Sequence, residues 1–239
     1  MVTDTRENLA DIARAVDENK KLLAVLVDPD KFDVNEAGNF LNDLPEEITH
    51  IFIGGSTVAQ GRTCEVVKCL KNFTELPLIL FPGDHSQISS HADALLFLSL
   101  ISGRNPEYLI EQQVRSVQKI KNTRLEIIPT GYILIDGGKK CAVHEVSNTL
   151  PLAQNDIGNI VNTALAGQYS GKKLIYLEAG SGAEIPVSEV IIRSVKEALD
   201  IPLVVGGGIR SMQQLQKTYE AGADLVVIGT AFENSSFQS

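Results

Sequence analysis

Basic residues are in the minority. The chain carries 21 Lys and Arg against 30 Asp and Glu, a net charge of −9, which argues against a general nucleic-acid-binding surface. Cysteine is equally sparse. Cys64, Cys69 and Cys141 are odd in number and lack metal-ligand spacing, so reduced thiols rather than a disulfide framework or a zinc site are expected. His50, His85 and His91 have no second His or Cys at ligand distance in the sequence, which also speaks against zinc. The longest apolar run, residues 94–98 with Leu100 and Ile101 beyond Ser99, is too short to span a bilayer. Residues 1–7 are charged and polar, without the pattern of a secretory leader. A cytoplasmic protein is therefore expected, without a transmembrane segment and with at most transient membrane-surface contact. Domain linkers and low-complexity segments are not evident.

What is present is a repeat of short apolar runs and amphipathic stretches. Strands are expected at Leu22–Val27, 50–53, 76–81, 94–98, 125–129, 173–177, 203–205 and Leu225–Ile228. Helical patterns lie over 6–19, 35–41, 63–71, 106–121, 156–166, 188–199 and 211–221. In 106–121, Leu109, Ile110, Val114, Val117 and Ile120 recur at helical spacing. Strand–helix alternation over 239 residues predicts one α/β domain, 1–239, a (β/α)8 TIM barrel. Two places break the repeat. Residues 84–92, after the third strand, are too few for a barrel helix, and a loop or extended segment is expected there. Residues 130–151 read as a long functional loop.

In the last third, three glycine-bearing segments follow apolar runs: Tyr176-Leu177-Glu178-Ala179-Gly180-Ser181-Gly182, Gly206-Gly207-Gly208-Ile209-Arg210 and Gly229-Thr230. Glycines at the ends of the final barrel strands let backbone N–H groups approach a phosphate. An acidic protein that binds an anion needs such local devices. Lys139, Lys140 and Arg210 are candidate anion contacts, with a solvated loop charge the plainer reading of both lysines. Glu178, at the end of strand six, is placed to take a proton from a substrate hydroxyl, or to hold hydroxyls by hydrogen bonds.

The first strand ends Val27-Asp28-Pro29-Asp30 and the second Ile53-Gly54-Gly55-Ser56. Two carboxylates one residue apart, Asp28 and Asp30, suit Mg²⁺, a hard cation that shares oxygen ligands with phosphates, and Ser56 on the neighbouring strand end offers a hydroxyl to a metal or phosphate. The plainer alternative makes Asp30 or Asp33 a helix cap and Ser56 part of a tight turn.

Taken in order, these segments resemble the geranylgeranylglyceryl phosphate synthase family over nearly the whole chain, the Tyr-Leu-Glu segment with its glycines being the most specific part. The resemblance implies Mg²⁺-dependent transfer of geranylgeranyl or another long prenyl group from its diphosphate to the 3-hydroxyl of sn-glycerol 1-phosphate. It implies metal binding by Asp28 and Ser56. Contacts to glycerol phosphate would come from Tyr176, Leu177, Glu178, Ala179, Gly180, Ser181, Gly182, Gly207, Gly208, Gly229 and Thr230, with Glu178 as the catalytic base. It further implies a homodimer or homohexamer. The larger branch of the family has a lysine two residues before the metal-binding aspartate. Position 26 here is leucine, which points to the second branch.

Two other readings use the same residues. One is an isomerase or synthase of the histidine, tryptophan or thiamine pathways, which would share the glycine loops. Histidine-pathway chemistry would want an aspartate after strand five, where the chain reads Ile128-Pro129-Thr130. The other is a non-catalytic phosphate-binding barrel, for which Asp28, Ser56 and Glu178 together are more than is needed.

Overall fold

Alternation of buried side chains along short apolar strands builds two cores at once. The computed structural model describes residues 7–229, so Arg6 and Thr230 lie outside the described residues. Eight parallel strands, β1 (Leu22–Val27), β2 (Ile48–Ile53), β3 (Leu78–Leu80), β4 (Ala94–Leu100), β5 (Glu126–Leu134), β6 (Leu174–Glu178), β7 (Leu203–Gly206) and β8 (Leu225–Ile228), pair in sequence order and close through β8 and β1. Leu23, Val25, Ile51 and Ile53 pack outward against helices. Ala24, Phe52, Ile79 and Tyr176 fill the interior. Among the described residues no helix is long and apolar enough to cross a membrane.

Helix α1 (Asn8–Asp17) seals the N-terminal end of the barrel. Ile12 enters the interior core, and the Glu126 carboxylate accepts the Leu9 N–H at 3.0 Å, satisfying a donor of the first turn. His50 lies within β2, buried, with its Nδ1 2.7 Å from the Thr49 hydroxyl. Burial holds its pKa down at about 4, so it stays neutral. The open end of the barrel is left to the strand C-termini.

Helices α2 (Ala37–Asn42), α3 (Arg62–Leu70), α4 (Gln112–Ile120), α5 (Ala142–Ser147), α6 (Ile157–Tyr169), α7 (Glu189–Ala198) and α8 (Met212–Glu220) follow in order among the described residues. No helix joins β3 to β4, as expected from the spacing. The intervening segment is pinned by Gln87, 2% exposed, whose side chain accepts from the N–H groups of Gly55 and Gly83 and donates to the Gly55 carbonyl.

Two expectations are corrected. β5 does not stop at Pro129 but continues to Leu134, and α5 occupies part of the stretch read as a loop. Pro129 and Gly131 look like strand breakers in sequence. In place, the Pro129 carbonyl accepts from Lys173 N–H at 2.7 Å. Gly131 is small because Ile101 and Ile175 lie within 2.9 Å of where a Cβ would stand. The periodic residues before and in α4 divide: Ile120 packs against the outer core and Leu109 is half-buried, while the other three face outward. Ile110, Val114 and Val117 are 57%, 58% and 43% exposed, whereas Gln113 and Ser116 are buried.

Candidate active site

The strand C-termini surround a cavity of about 590 Å³. It collects residues that are far apart in sequence: Asp28 after β1, Gly55 and Ser56 after β2, Tyr176 and Glu178 on β6, Ser181 and Gly182 beyond it, Gly207 and Gly208 after β7, and Gly229 after β8. Leu177 and Ala179 point the other way, into the core between strands and helices. Gly180 is buried beside Cys141. These three can meet a ligand in the cavity through backbone only. Thr230 lies outside the described residues.

Glu178 is held from several sides. Its Oε1 accepts the Gly180 N–H at 2.7 Å, and only 6% of the residue is exposed. A Cβ on Gly207 would stand 2.4 Å from Oε1, and one on Gly206 would stand 2.9 Å from Oε2 and 2.4 Å from the Tyr176 hydroxyl. Gly207 also has φ of +85°, a conformation L side chains rarely adopt. The Gly-Gly-Gly run thus makes room for the carboxylate as well as offering N–H groups to a ligand. Burial pushes the Glu178 pKa up to about 7, a rise held back by the Gly180 N–H and the nearby Tyr176 hydroxyl. That hydroxyl is buried against Glu178 without satisfying the geometry of a hydrogen bond to any described atom.

The opposite rim is more open. The Asp28 side chain is 22% exposed. One oxygen pairs with Lys31 Nζ at 3.0 Å and the other accepts the Asp30 N–H at 3.1 Å. Asp30 turns away and accepts the Ala59 N–H, while Asp33 caps the 3₁₀ turn Val34–Glu36 through Asn35 N–H. The capping alternative therefore applies to Asp33 and leaves Asp28 in the cavity.

Two side chains gain a role that linear reading undervalued. Lys139, read as a solvated loop charge, lines the cavity, its Nζ 3.2 Å from where a Gly182 Cβ would be. Arg210 also lines it and donates to the carbonyls of Gly182 and Ala183 at 3.2 and 2.7 Å, bracing the glycine loop. Lys140 stays exposed and does not reach it. A positive charge in the loop after β5 was visible in sequence. Its apposition to the loop after β6 was not. His85 lines the cavity with Nδ1 2.8 Å from Gln112 Oε1, and His91 lies outside. β4, the turn before α4 and helix α5 give the cavity an apolar stretch of wall, Phe97, Leu98, Tyr108, Val143 and Val146, beside the polar Gln112, Gln113 and Ser116 of α4. Tyr108 reaches it from a wide π-helical turn, Glu107–Glu111, a device frequent at functional sites.

The corrected length of β5 alters one argument. Asp136 does follow this strand, but it is exposed, accepts the Gly138 N–H in its own loop, and is not part of the cavity wall. The second aspartate that histidine-pathway chemistry would want is therefore present in sequence and absent from the site.

Comparison with known proteins agrees with this geometry. A geranylgeranylglyceryl phosphate synthase of Zunongwangia profunda is 60% identical over 95% of this chain and 97% of its own length. The protein of that name from Pyrococcus furiosus is 45% identical over 91% and 87%. The crystal structure of (S)-3-O-geranylgeranylglyceryl phosphate synthase from Thermoplasma acidophilum, in complex with sn-glycerol-1-phosphate, matches with a TM-score of 0.86 at 34% identity. That match covers 94% of this chain and 91% of the other. The PcrB family model matches residues 15–239, and with likeness of this extent in both sequence and fold the chain belongs to the PcrB family.

Proposed function

We propose that this protein is a prenyltransferase that joins geranylgeranyl diphosphate to the 3-hydroxyl of sn-glycerol 1-phosphate, releasing diphosphate. The observation that carries the reading is one cavity with three chemically distinct parts. A buried carboxylate lies among glycine loops, a carboxylate and hydroxyl stand on the other rim, and apolar side chains of β4, α5 and the turn before α4 line a further part of the wall. An anionic polyol, a diphosphate and a hydrocarbon chain are the ligands that need those parts together.

In this mechanism the N–H groups of the loops after β6, β7 and β8, with Lys139, hold the glycerol phosphate and orient its free hydroxyl toward Glu178. The C1–O bond of the allylic diphosphate breaks with its electron pair leaving on the diphosphate. The glycerol oxygen supplies the pair for the new C–O bond, and its proton passes to Glu178. A positioned base contributes about 10²–10⁴-fold, and orientation of the two substrates adds a proximity advantage. Tail recognition scales with length, since each buried CH₂ contributes about 0.8 kcal/mol.

Asp28 and Ser56 would hold Mg²⁺. Among the described residues no three His, Cys, Asp or Glu converge on one point. Their oxygen donors fit a magnesium ion, which often completes its shell with water and substrate phosphate oxygens. Gly55 keeps the carboxylate accessible, since a Cβ there would stand 3.2 Å from Asp28 Oδ1. When bound, the ion neutralises charge on the departing diphosphate. We also propose a homo-oligomer, supported by the exposed stripe of Ile110, Val114 and Val117. Light scattering would test it, and a monomer at all concentrations would refute it.

The decisive experiment is turnover of radiolabelled sn-glycerol 1-phosphate with prenyl diphosphates of several lengths, sn-glycerol 3-phosphate serving as the control. A prenyl ether from the 1-phosphate alone is expected. Absence of product from every diphosphate, with glycerol phosphate still bound, would leave a binding protein instead.

A further inference from the structure

The molecule holds only 13 Phe and Tyr residues and no Trp, yet three of them gather at the floor of the cavity. The Phe81 ring lies 5.2 Å from that of Tyr176, nearly parallel at 24°, and 5.9 Å from that of Tyr132. The rings of Tyr132 and Tyr176 are 5.4 Å apart, edge to face. All three line the cavity. Phe52 backs the group from the barrel interior, 6.4 Å from Phe81.

Their position is set by both rims. Phe81 follows β3, and its N–H donates to Ile53 O at 2.8 Å. Gly54 meets it so closely that a Cβ there would stand 1.8 Å from the Phe81 carbonyl oxygen. The backbone of Phe81 is therefore locked against the Gly54-Gly55-Ser56 loop of the diphosphate side. Its ring stacks on Tyr176, which shares a face of β6 with Glu178 two residues on, and Tyr132 lies beside Tyr176 in strand register. The trio thus bridges the two rims, under the path between the bond that breaks and the oxygen that attacks.

Resting on the prenyl-transfer reading, we propose that Phe81 and Tyr132 present their ring faces to the allylic C1 and stabilise the positive charge it gains as the diphosphate leaves. An aromatic face carries negative potential and attracts a cation, more strongly where water is excluded. An apolar aliphatic floor would exclude water as well but offer no such attraction. The charge exists only as the bond breaks, so the effect falls on the chemical step and not on ground-state binding. The group acts through its faces.

The test replaces Phe81 with mono-, di- and trifluorophenylalanine, which preserve shape while progressively weakening the face. Single-turnover rates of prenyl transfer are measured with both substrates saturating. We expect the rate to fall stepwise with fluorine content, by about tenfold over the series, with dissociation constants for both substrates within twofold of the parent and unchanged thermal melting. Phe81→Leu and Tyr132→Leu are each expected to lose at least as much. A flat fluorine series in an active, folded enzyme would overturn the inference and leave Phe81 a shape-filling residue. A parent protein that transfers no prenyl group would instead overturn the reading on which the inference rests.

Discussion

The two rims of the cavity are built on opposite principles. On the β6–β8 side, Glu178 is 6% exposed, hydrogen-bonded to a backbone N–H, and confined by glycines whose missing Cβ atoms leave space for its oxygens. On the β1–β2 side, Asp28 is partly exposed, paired with the exposed Lys31, and its loop partner Gly55 is held by Gln87 from the segment that replaces a helix. A base needs a fixed position and a pKa near the working pH, which burial supplies at the cost of stability. A site for a multiply charged diphosphate must admit and release its ligand, which burial would oppose. Rigidity belongs to the acceptor side and exchange to the donor side.

The sharpest way to break this contrast is Glu178→Gln. Prenyl transfer in single turnover is expected to fall about 10²–10⁴-fold, while calorimetry still shows glycerol phosphate binding. Retained turnover would remove Glu178 from the chemistry. The same residue makes two pH predictions. With a pKa of about 7, the base is about half ionised at neutrality, so kcat/KM should rise with pH through about 7, and a flat profile from pH 6 to 8 would contradict the role. Stability carries the opposite sign. The folded pKa lies above the ordinary carboxylate value of 4.5, so the folded state binds the extra proton. That contribution is complete below about 4.5 and is lost as pH rises through about 7, where ionising the buried group costs on the order of 3 kcal/mol. Glu178→Gln should therefore melt several degrees higher than the parent at pH 8 and no higher at pH 4. Inactivity with added stability would mark a carboxylate kept for function.

On the open rim a smaller effect is expected. Asp28→Asn should raise the Mg²⁺ concentration for half-maximal activity by about tenfold, equivalent to roughly 1.4 kcal/mol, with little change in glycerol phosphate binding. Full parental activity in EDTA would sink the metal assignment. The smallest effect tests the boundary of the acceptor side. Lys139→Ala should raise the KM for glycerol phosphate about three- to tenfold with kcat nearly unchanged, and should weaken its dependence on salt. A loss confined to kcat would move Lys139 away from phosphate binding.

Much of the acceptor rim was legible because its elements are local. Tyr176, Glu178 and the following glycines lie on one strand end, and an i, i+2 relation in a strand puts Tyr176 and Glu178 on one face. The missing helix after β3 was likewise a matter of chain length. The length of β5 was not legible, because Pro129 and Gly131 carry turn chemistry in sequence and close-approach chemistry in place. Gln87 gave no signal at all, since a lone glutamine acquires its role only from the backbone groups brought to it.

By itself the sequence determined the repeat of strands and helices, the order of the rim motifs, and the identity of the groups that could carry acid–base and metal chemistry. Periodicity and glycine placement act over a few residues and need no partner to be read. The tertiary structure alone decided that α4 turns Val114 and Val117 outward and Gln113 inward, that Lys139 stands beside the glycine loop, and that Phe81, Tyr132 and Tyr176 meet beneath both rims. Which face is buried, and which loop lies across another, depends on surfaces far apart in the chain that meet only when the barrel closes.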